Sequence, residues 1–357
     1  MADYCGLINN GNFCYFISII QNLRFSKSIV KHLCDETEHK KDLELLKLIK
    51  NVDKNTLEKN QLFFKKAILY LNFKKLIISM CSNKDKEAIP IDDFLKSCYR
   101  VSMDTNKEEL FSGNQNCSGE FILFLLDILH STKKIQNFKL TFNSLLECKS
   151  EKDVITYNCE QSLKTHFNNE YSWILDEFNI TICTKCCCNN CGYSSMSYEP
   201  DFIFILNIPE EIENCNIEDC LDYYTKKESC EWTCEKCNNK DSNYKECKLY
   251  NTPQTLIIHL SRFRYDHFTN SSDKIKSKIS YNEFLNIKNY KLFKEEQNNI
   301  YELYGVLCHI GNINCGHYYT YCKDEKKFYL FNDENVSIKD EFPIETNAYI
   351  LFYKLIN

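Results

Sequence analysis

The hydrophobic period of this chain changes near residue 175, and that switch limits the folds open to it. Before it, apolar residues recur at helical spacing. Residues 14–34 read as one apolar helix. Leu43, Leu45, Leu46 and Leu48, then Leu62, Phe63, Phe64, Ile68, Leu69 and Leu71, read as amphipathic helices set between lysines. Glu120 to His130 reads as another, strongly apolar helix. After the switch the alternation is that of strands: Ile180 and Ile182, then Phe202, Phe204, Leu206 and Ile208, then Thr255–Leu260, Tyr301–Leu307, Tyr318–Cys322, Phe328–Phe331 and Ala348–Tyr353. Thr269 to Lys278 is polar and lysine-bearing and reads as a mobile loop. Eight Gly and five Pro in 357 residues leave little room for long linkers. The expectation is therefore a single α+β domain with a helical part at about 1–140 and a cysteine-bearing β extension at about 175–250. A β-rich part, formed by 141–174 and 251–357, completes it.

Bulk properties narrow the function. A hydrophobic content of 43% supports a sizeable core, and a net charge of −6 argues against a dedicated nucleic-acid binder. The longest apolar run, Phe121 to Leu129, is short and broken by Asp127, so no membrane span is expected. Met1 to Cys5 opens with neither a basic start nor an apolar stretch, so a signal peptide is not expected. The twenty-two cysteines are then read as reduced thiols in the cytoplasm or nucleus.

One cysteine stands apart. Gly6 to Gln21 runs from a polar, glycine-bearing loop through Cys14 into an apolar helical pattern, which places a thiol at a helix N-terminus. Backbone N–H groups and the helix dipole there favour the nucleophilic thiolate. Such a nucleophile needs an imidazole and a group to orient it. His317 follows a glycine-bearing turn, Gly311 to Gly316, at the first position of a strand, and Asn332-Asp333 follows one strand later. A Cys-His-Asn triad is chemically sufficient for thiol proteolysis. Singly, each is more often structural; their order and flanks carry the reading.

Those flanks resemble the ubiquitin-specific protease family. Gly6-Leu7-x-Asn9-x-Gly11-Asn12-Phe13-Cys14-Tyr15 is similar to its cysteine box. Tyr301 to Tyr318 is similar to its histidine box, and Phe331-Asn332-Asp333 with Ala348 to Tyr353 completes it; Pro253 to Phe263 looks like a further block. The resemblance implies a papain-like cysteine protease fold with a helical thumb, a β-rich palm and zinc-bearing β fingers. It implies Cys14 as nucleophile, His317 as base and then acid, Asn332 as its orienter, Asp333 as a second polar partner and Asn9 as oxyanion donor. Gln115, Cys117, Glu120, Phe263 and Tyr318 are implied to line the path of the substrate tail. Cys117 stands where the family has Asp, Phe13 where it has Thr, and Ile17 where it has Asn. The implied activity is hydrolysis after the C-terminal glycine of ubiquitin through an acyl-thioester, with ubiquitin and ubiquitinated proteins as partners and the chain acting as a monomer. Two alternatives fit the same residues: a non-catalytic ubiquitin-binding module, and a protease for another ubiquitin-like modifier.

Two CxxC pairs, Cys188/Cys191 and Cys234/Cys237, suit a tetrahedral four-thiolate Zn2+ site with no open position, hence a structural one. Cys183, Cys186, Cys187 and Cys230 lie close enough in sequence to compete. The resemblance, continued by Gly192-Tyr193-Ser194-Ser195, favours the first four.

Overall fold

The computed structural model describes residues 3–136, 138–209, 212, 214–241, 243–266, 271–294, 299–312, 315–341 and 347–356. Ten α-helices are described: α1 (Cys14–Phe25), α2 (Lys27–Cys34), α3 (Glu36–Asn51), α4 (Lys54–Lys59), α5 (Gln61–Ser82), α6 (Asp92–Ser102), α7 (Ser118–Lys133), α8 (Glu151–His166), α9 (Trp173–Phe178) and α10 (Ile217–Thr225). The helix expected over 14–34 is two helices. Ser26 leaves helical geometry at ψ 105, and its hydroxyl accepts the Ile29 N–H at 3.3 Å. That is an N-cap in the middle of an apolar run, and it restarts the chain as α2.

α3 departs from the amphipathic reading in a different way. Leu43, Leu46 and Leu48 are exposed, and the residue that α3 buries is Asp42. Its carboxylate receives Lys74 of α5 at 2.5 Å and Lys133 of α7 at 3.0 Å. The helix docks through charge rather than through its leucines. The segment 141–174, expected with the palm, supplies α8 and α9. Cys159, Leu163, Ile174 and Leu175 from these helices join the apolar cluster built by the N-terminal helices.

The palm is an eight-stranded sheet. Its order is Asn335–Lys339, Lys327–Asn332, Gly316–Asp324, Ile300–Gly311, Ala348–Ile356, Thr255–Ser261 and Phe204–Asn207, with Phe284–Asn286 paired to Ile300–Gly311. Neighbours are antiparallel except Phe204–Asn207, which runs parallel to Thr255–Ser261. Its central strands are apolar on both faces, as a sheet covered on both sides requires. Ile257, Leu307, Ile350 and Phe352 face the helical cluster. Their alternates Leu256, Ile258, Val306, Leu351 and Tyr353 pack with Ile217, Cys220 and Leu221 around α10 on the other side.

The fingers are a four-stranded sheet ordered Ser194–Asp201, Ile180–Cys187, Tyr244–Asn251 and Glu228–Ser229. Of the segment read as a mobile loop, Thr269 and Asn270 lie outside the described residues. Ser271–Lys274 is instead a strand paired antiparallel with Phe263–Asp266.

Candidate active site and metal centre

Cys14 is the first residue of α1 and is buried. The loop before it is folded by Asn9, whose side-chain oxygen accepts the N–H groups of Gly11 and Phe13 at 3.2 and 3.3 Å. Phe13 sits at the N-cap and supplies no side-chain cap. The first turn of α1 is therefore not capped by the N-cap side chain. The Tyr318 N–H, from the palm, also points at the Cys14 sulfur at 3.4 Å.

His317 arrives on the strand Gly316–Asp324 after a turn closed by Asn312 and Cys315. One ring nitrogen, Nε2, lies 2.6 Å from Asn332 Oδ1. The ring also hydrogen-bonds the Cys14 thiol, and this contact is the main reason its pKa is raised to about 9, against opposition from partial burial. Asn332 closes the strand Lys327–Asn332, and Asp333 follows in left-handed geometry at φ 51, a conformation Asp tolerates better than most residues. Burial raises the Asp333 pKa, and the bond from Asn9 works against it. Asn9 Nδ2 donates to Asp333 Oδ2 at 2.9 Å, and Leu7 N–H donates to the Asp333 carbonyl at 3.0 Å. One amide hydrogen of Asn9 is thus committed to Asp333 and one remains. Five residues separated by up to 324 positions converge on one point.

The residues expected along the substrate tail form the adjoining wall. Cys117 Sγ lies 3.2 Å from the Tyr349 hydroxyl. Tyr318 is buried against His309, with ring centroids 4.5 Å apart. Phe263 packs on His309 and Tyr349 at 5.6 and 5.9 Å. Glu120 is exposed in the first turn of α7. Gln115 has both polar atoms of its amide bonded to the backbone of Gly316.

At the far end of the fingers, Cys188, Cys191, Cys234 and Cys237 bring their sulfurs within 4.8 Å of one another. Gly192, at φ 69, turns the first knuckle, and the Gly192 N–H bonds the Cys188 carbonyl at 3.0 Å. Asn238, at φ 57, turns the second, its N–H on the Cys234 carbonyl at 2.8 Å. The side-chain amides of Asn190 and Asn239 reach Cys237 and Cys188 sulfurs at 3.7 and 3.9 Å. Four converging sulfurs with N–H donors around them fit a bound metal ion. Cys183, Cys186, Cys187 and Cys230 stand outside this cluster.

The family model described as "Ubiquitin carboxyl-terminal hydrolase" matches residues 5–353. The chain belongs to the ubiquitin carboxyl-terminal hydrolase family. Within it, the chain is 27% identical over 361 residues to ubiquitin carboxyl-terminal hydrolase Usp2 of Drosophila melanogaster, covering 98% of this chain and 34% of that protein. It is 29% identical over 382 residues to ubiquitin carboxyl-terminal hydrolase 5 of Saccharomyces cerevisiae, covering 98% of this chain and 44% of that protein. This family member therefore spans less than half the length of either relative. Among solved structures it is similar to the SAGA DUB module of Ubp8, Sgf11, Sus1 and Sgf73 bound to monoubiquitin. The TM-score is 0.69 at 21% identity, over 99% of this chain and 69% of that one. At that identity the likeness establishes the fold.

Sequence reasoning missed several residues of the site of this family member. Tyr349 lies in an apolar strand and gives no sign that its hydroxyl meets Cys117. Lys274 places its ammonium 3.1 Å from His309 Nδ1 and 2.6 Å from the His309 carbonyl. Burial, with Lys274 beside it, pushes the His309 pKa down to about 4. His259 is pushed down to about 4 by burial alone. His259, His309 and Tyr349 lie within the segments similar to the family's blocks but carry no implied role there, and Lys274 carries no local mark because its partner His309 lies on a distant strand.

Proposed function

We propose that the chain is a deubiquitinating cysteine peptidase that hydrolyses the peptide or isopeptide bond after the C-terminal glycine of ubiquitin. The observation that carries this reading is the continuous contact from Cys14 to His317 to Asn332, with the His317 pKa raised to about 9 by the thiol beside it. An imidazolium next to a sulfur stabilises the thiolate. The family membership and the relatives' names supply the substrate class.

The Cys14 sulfur attacks the glycine carbonyl carbon. The oxygen takes the negative charge, and the free amide hydrogen of Asn9 and the Cys14 N–H are the donors for it. Collapse of the intermediate breaks the C–N bond. His317 gives its proton to the leaving amine, and a thioester to Cys14 remains. His317, now neutral, takes a proton from water, which attacks the thioester. The carboxylate of ubiquitin leaves and the thiol–imidazole pair is restored. Asn332 keeps the ring in plane through both steps.

The tail of ubiquitin would lie between the α7 start and the palm, against Tyr318 and Phe263, with Glu120 as an exposed acid for a cationic side chain. The folded body would rest on the fingers. Cys188, Cys191, Cys234 and Cys237 would hold Zn2+, which supplies stability and no reacting group, since four thiolates fill its coordination. Thumb, fingers and palm divide at about 140 and 175–250, and the chain acts as a monomer in the cytoplasm or nucleus.

The test is reaction of the purified chain with ubiquitin bearing a C-terminal thiol-reactive group, beside a Cys14→Ala control, read by intact mass. A single adduct on Cys14 is expected. Binding without an adduct would instead indicate a ubiquitin-binding module. An adduct formed only with another ubiquitin-like modifier would replace the substrate, and one that persists in Cys14→Ala would remove the nucleophile.

A further inference from the structure

The histidine turn is held from the opposite side of the cleft by the side chain of Gln115. Gln115 Nε2 donates to the Gly316 carbonyl, and the Gly316 N–H donates to Gln115 Oε1, 201 positions away. This is a two-point amide clasp on the residue immediately before His317. It fixes both the position and the rotation of the peptide that launches the histidine, which one hydrogen bond would not do.

Gln115 is itself anchored on the nucleophile's side. Asn12, two residues before Cys14, donates through Nδ2 to the Gly113 carbonyl at 2.9 Å. Asn116 Nδ2 donates to the Glu109, Leu110 and Asn114 carbonyls at 3.0, 3.3 and 3.0 Å. The Tyr15 hydroxyl, one residue beyond Cys14, also bonds the Leu110 carbonyl. The segment 109–117 is thus tied to both flanks of the nucleophile and, through Gln115, to the histidine. Gly316 leaves no room for a side chain: a Cβ there would collide with His309 Nε2 and the Ile310 carbonyl. The bonds inside the turn itself, between Asn312 and Cys315, are local and do not refer it to the thumb.

We infer that Gln115 is a positioning residue that sets His317 against Cys14 across the cleft, rather than a ligand of the substrate tail. Each of its polar atoms makes a bond to Gly316, so the orientation of the amide is set by the histidine turn, with one Nε2 hydrogen and one Oε1 lone pair left over. This inference rests on the peptidase reading above for its kinetic consequences, but its geometric content is independent of the substrate.

The test compares wild type with Gln115→Ala and Gln115→Glu. The Glu variant keeps an acceptor for the Gly316 N–H and sets a carboxylate oxygen against the Gly316 carbonyl, so it retains half the clasp at nearly constant volume. On a fluorogenic ubiquitin C-terminal amide, Gln115→Ala is expected to lower kcat on the order of 10- to 100-fold with little change in KM, the scale of a small misplacement of catalytic groups. Gln115→Glu falls between. In parallel, NMR of labelled histidines should show the His317 titration midpoint falling from about 9 toward 6.5 in Gln115→Ala. Far-UV circular dichroism and the urea midpoint show whether either variant is folded. A rise in KM at unchanged kcat, with His317 titrating as in wild type, would overturn the inference and return Gln115 to substrate binding. Wild-type kinetics in a folded Gln115→Ala would overturn it too. If the wild type itself ignores ubiquitin, the substrate reading fails, and the histidine titration still decides the role of Gln115.

Discussion

His317 is pulled toward its charged form by the two groups that also hold it in place, the Cys14 thiol and Asn332. The direction has kinetic consequences. A pKa near 9 means that the imidazolium needed to protonate the leaving amine persists through neutral pH and is lost as pH rises through about 9. The alkaline limb of kcat/KM is expected there, measurable on an amide-linked ubiquitin substrate. Replacing Cys14 with Ala removes the largest cause, so the His317 midpoint should drop toward 6.5 by NMR. Asn332→Ala frees the ring at Nε2 and should lower kcat on the order of 10²-fold, visible in single-turnover rates. Cys14, His317 and Asn332 were legible because each sits in a short local frame, a loop-to-helix start, a glycine turn and a strand end. The bond from Asn9 to Asp333 was not, since it spans 324 positions. Arg24 was equally hidden. It is 5% exposed inside α1, with the rings of Tyr4, Phe25 and Phe331 within 4.7–5.2 Å; Nη1 reaches the Cys5 carbonyl and sulfur at 3.5 Å, and Nε and Nη2 lack hydrogen-bond partners among the described residues. A buried guanidinium without a carboxylate is costly. Arg24→Met is expected to leave the urea midpoint unchanged or higher, the cation–π contacts offsetting part of the desolvation.

Among the elements, the fingers depend most on what they bind. Their sheet is edged by the two-residue strand Glu228–Ser229, and beyond the paired strands the two knuckles meet through their four sulfurs, with Tyr193 bonded to Glu235 at 3.0 Å and stacked on Trp232. Removing the metal by chelation, or by Cys237→Ser, is expected to raise hydrogen exchange across Ile180–Asp201 and Tyr244–Asn251. It should raise KM for ubiquitin substrates and leave the rate of Cys14 alkylation unchanged. Loss of Cys14 reactivity alongside fingers exchange would show that the two sites are coupled. The CxxC spacing announced a cysteine cluster that could hold a metal ion, but spacing alone did not choose four sulfurs from eight. The choice is made by Gly192 and Asn238, which turn the knuckles in left-handed geometry. In α1–α2 the apolar pattern ran on through Ser26 and concealed a cap that forms only when the chain bends. In α3 the leucines suggested a packed face, yet docking falls to Asp42, because two lysines on other helices converge on it.

At the scale of the molecule, that acidic contact joins three helices of the thumb. Asp42 and Lys74 are 5% and 8% exposed at the side chain. Asp42→Ala leaves Lys74 buried without its carboxylate and should cost about 3–5 kcal/mol in urea unfolding, whereas Asp42→Ala with Lys74→Met should recover much of it. The period switch near residue 175 revealed the overall plan, helices first and sheets later. It did not reveal that the first strand of the chain reaches the palm. Leu7–Ile8 pairs in parallel with Ile89–Pro90, while the Leu7 N–H bonds the Asp333 carbonyl, next to Asn332. Thumb and palm are therefore stitched together at the end that carries Cys14 and His317. The fingers strand Ile180–Cys187 leaves the palm core at Ile180 and runs eight residues, roughly 25 Å, to the knuckles. In mechanical terms the fingers are a lever whose root, Ile180, is set in the palm core and whose sulfur cluster rides at the far end of the arm, so any swing about that root is largest at the cluster and smallest at the palm.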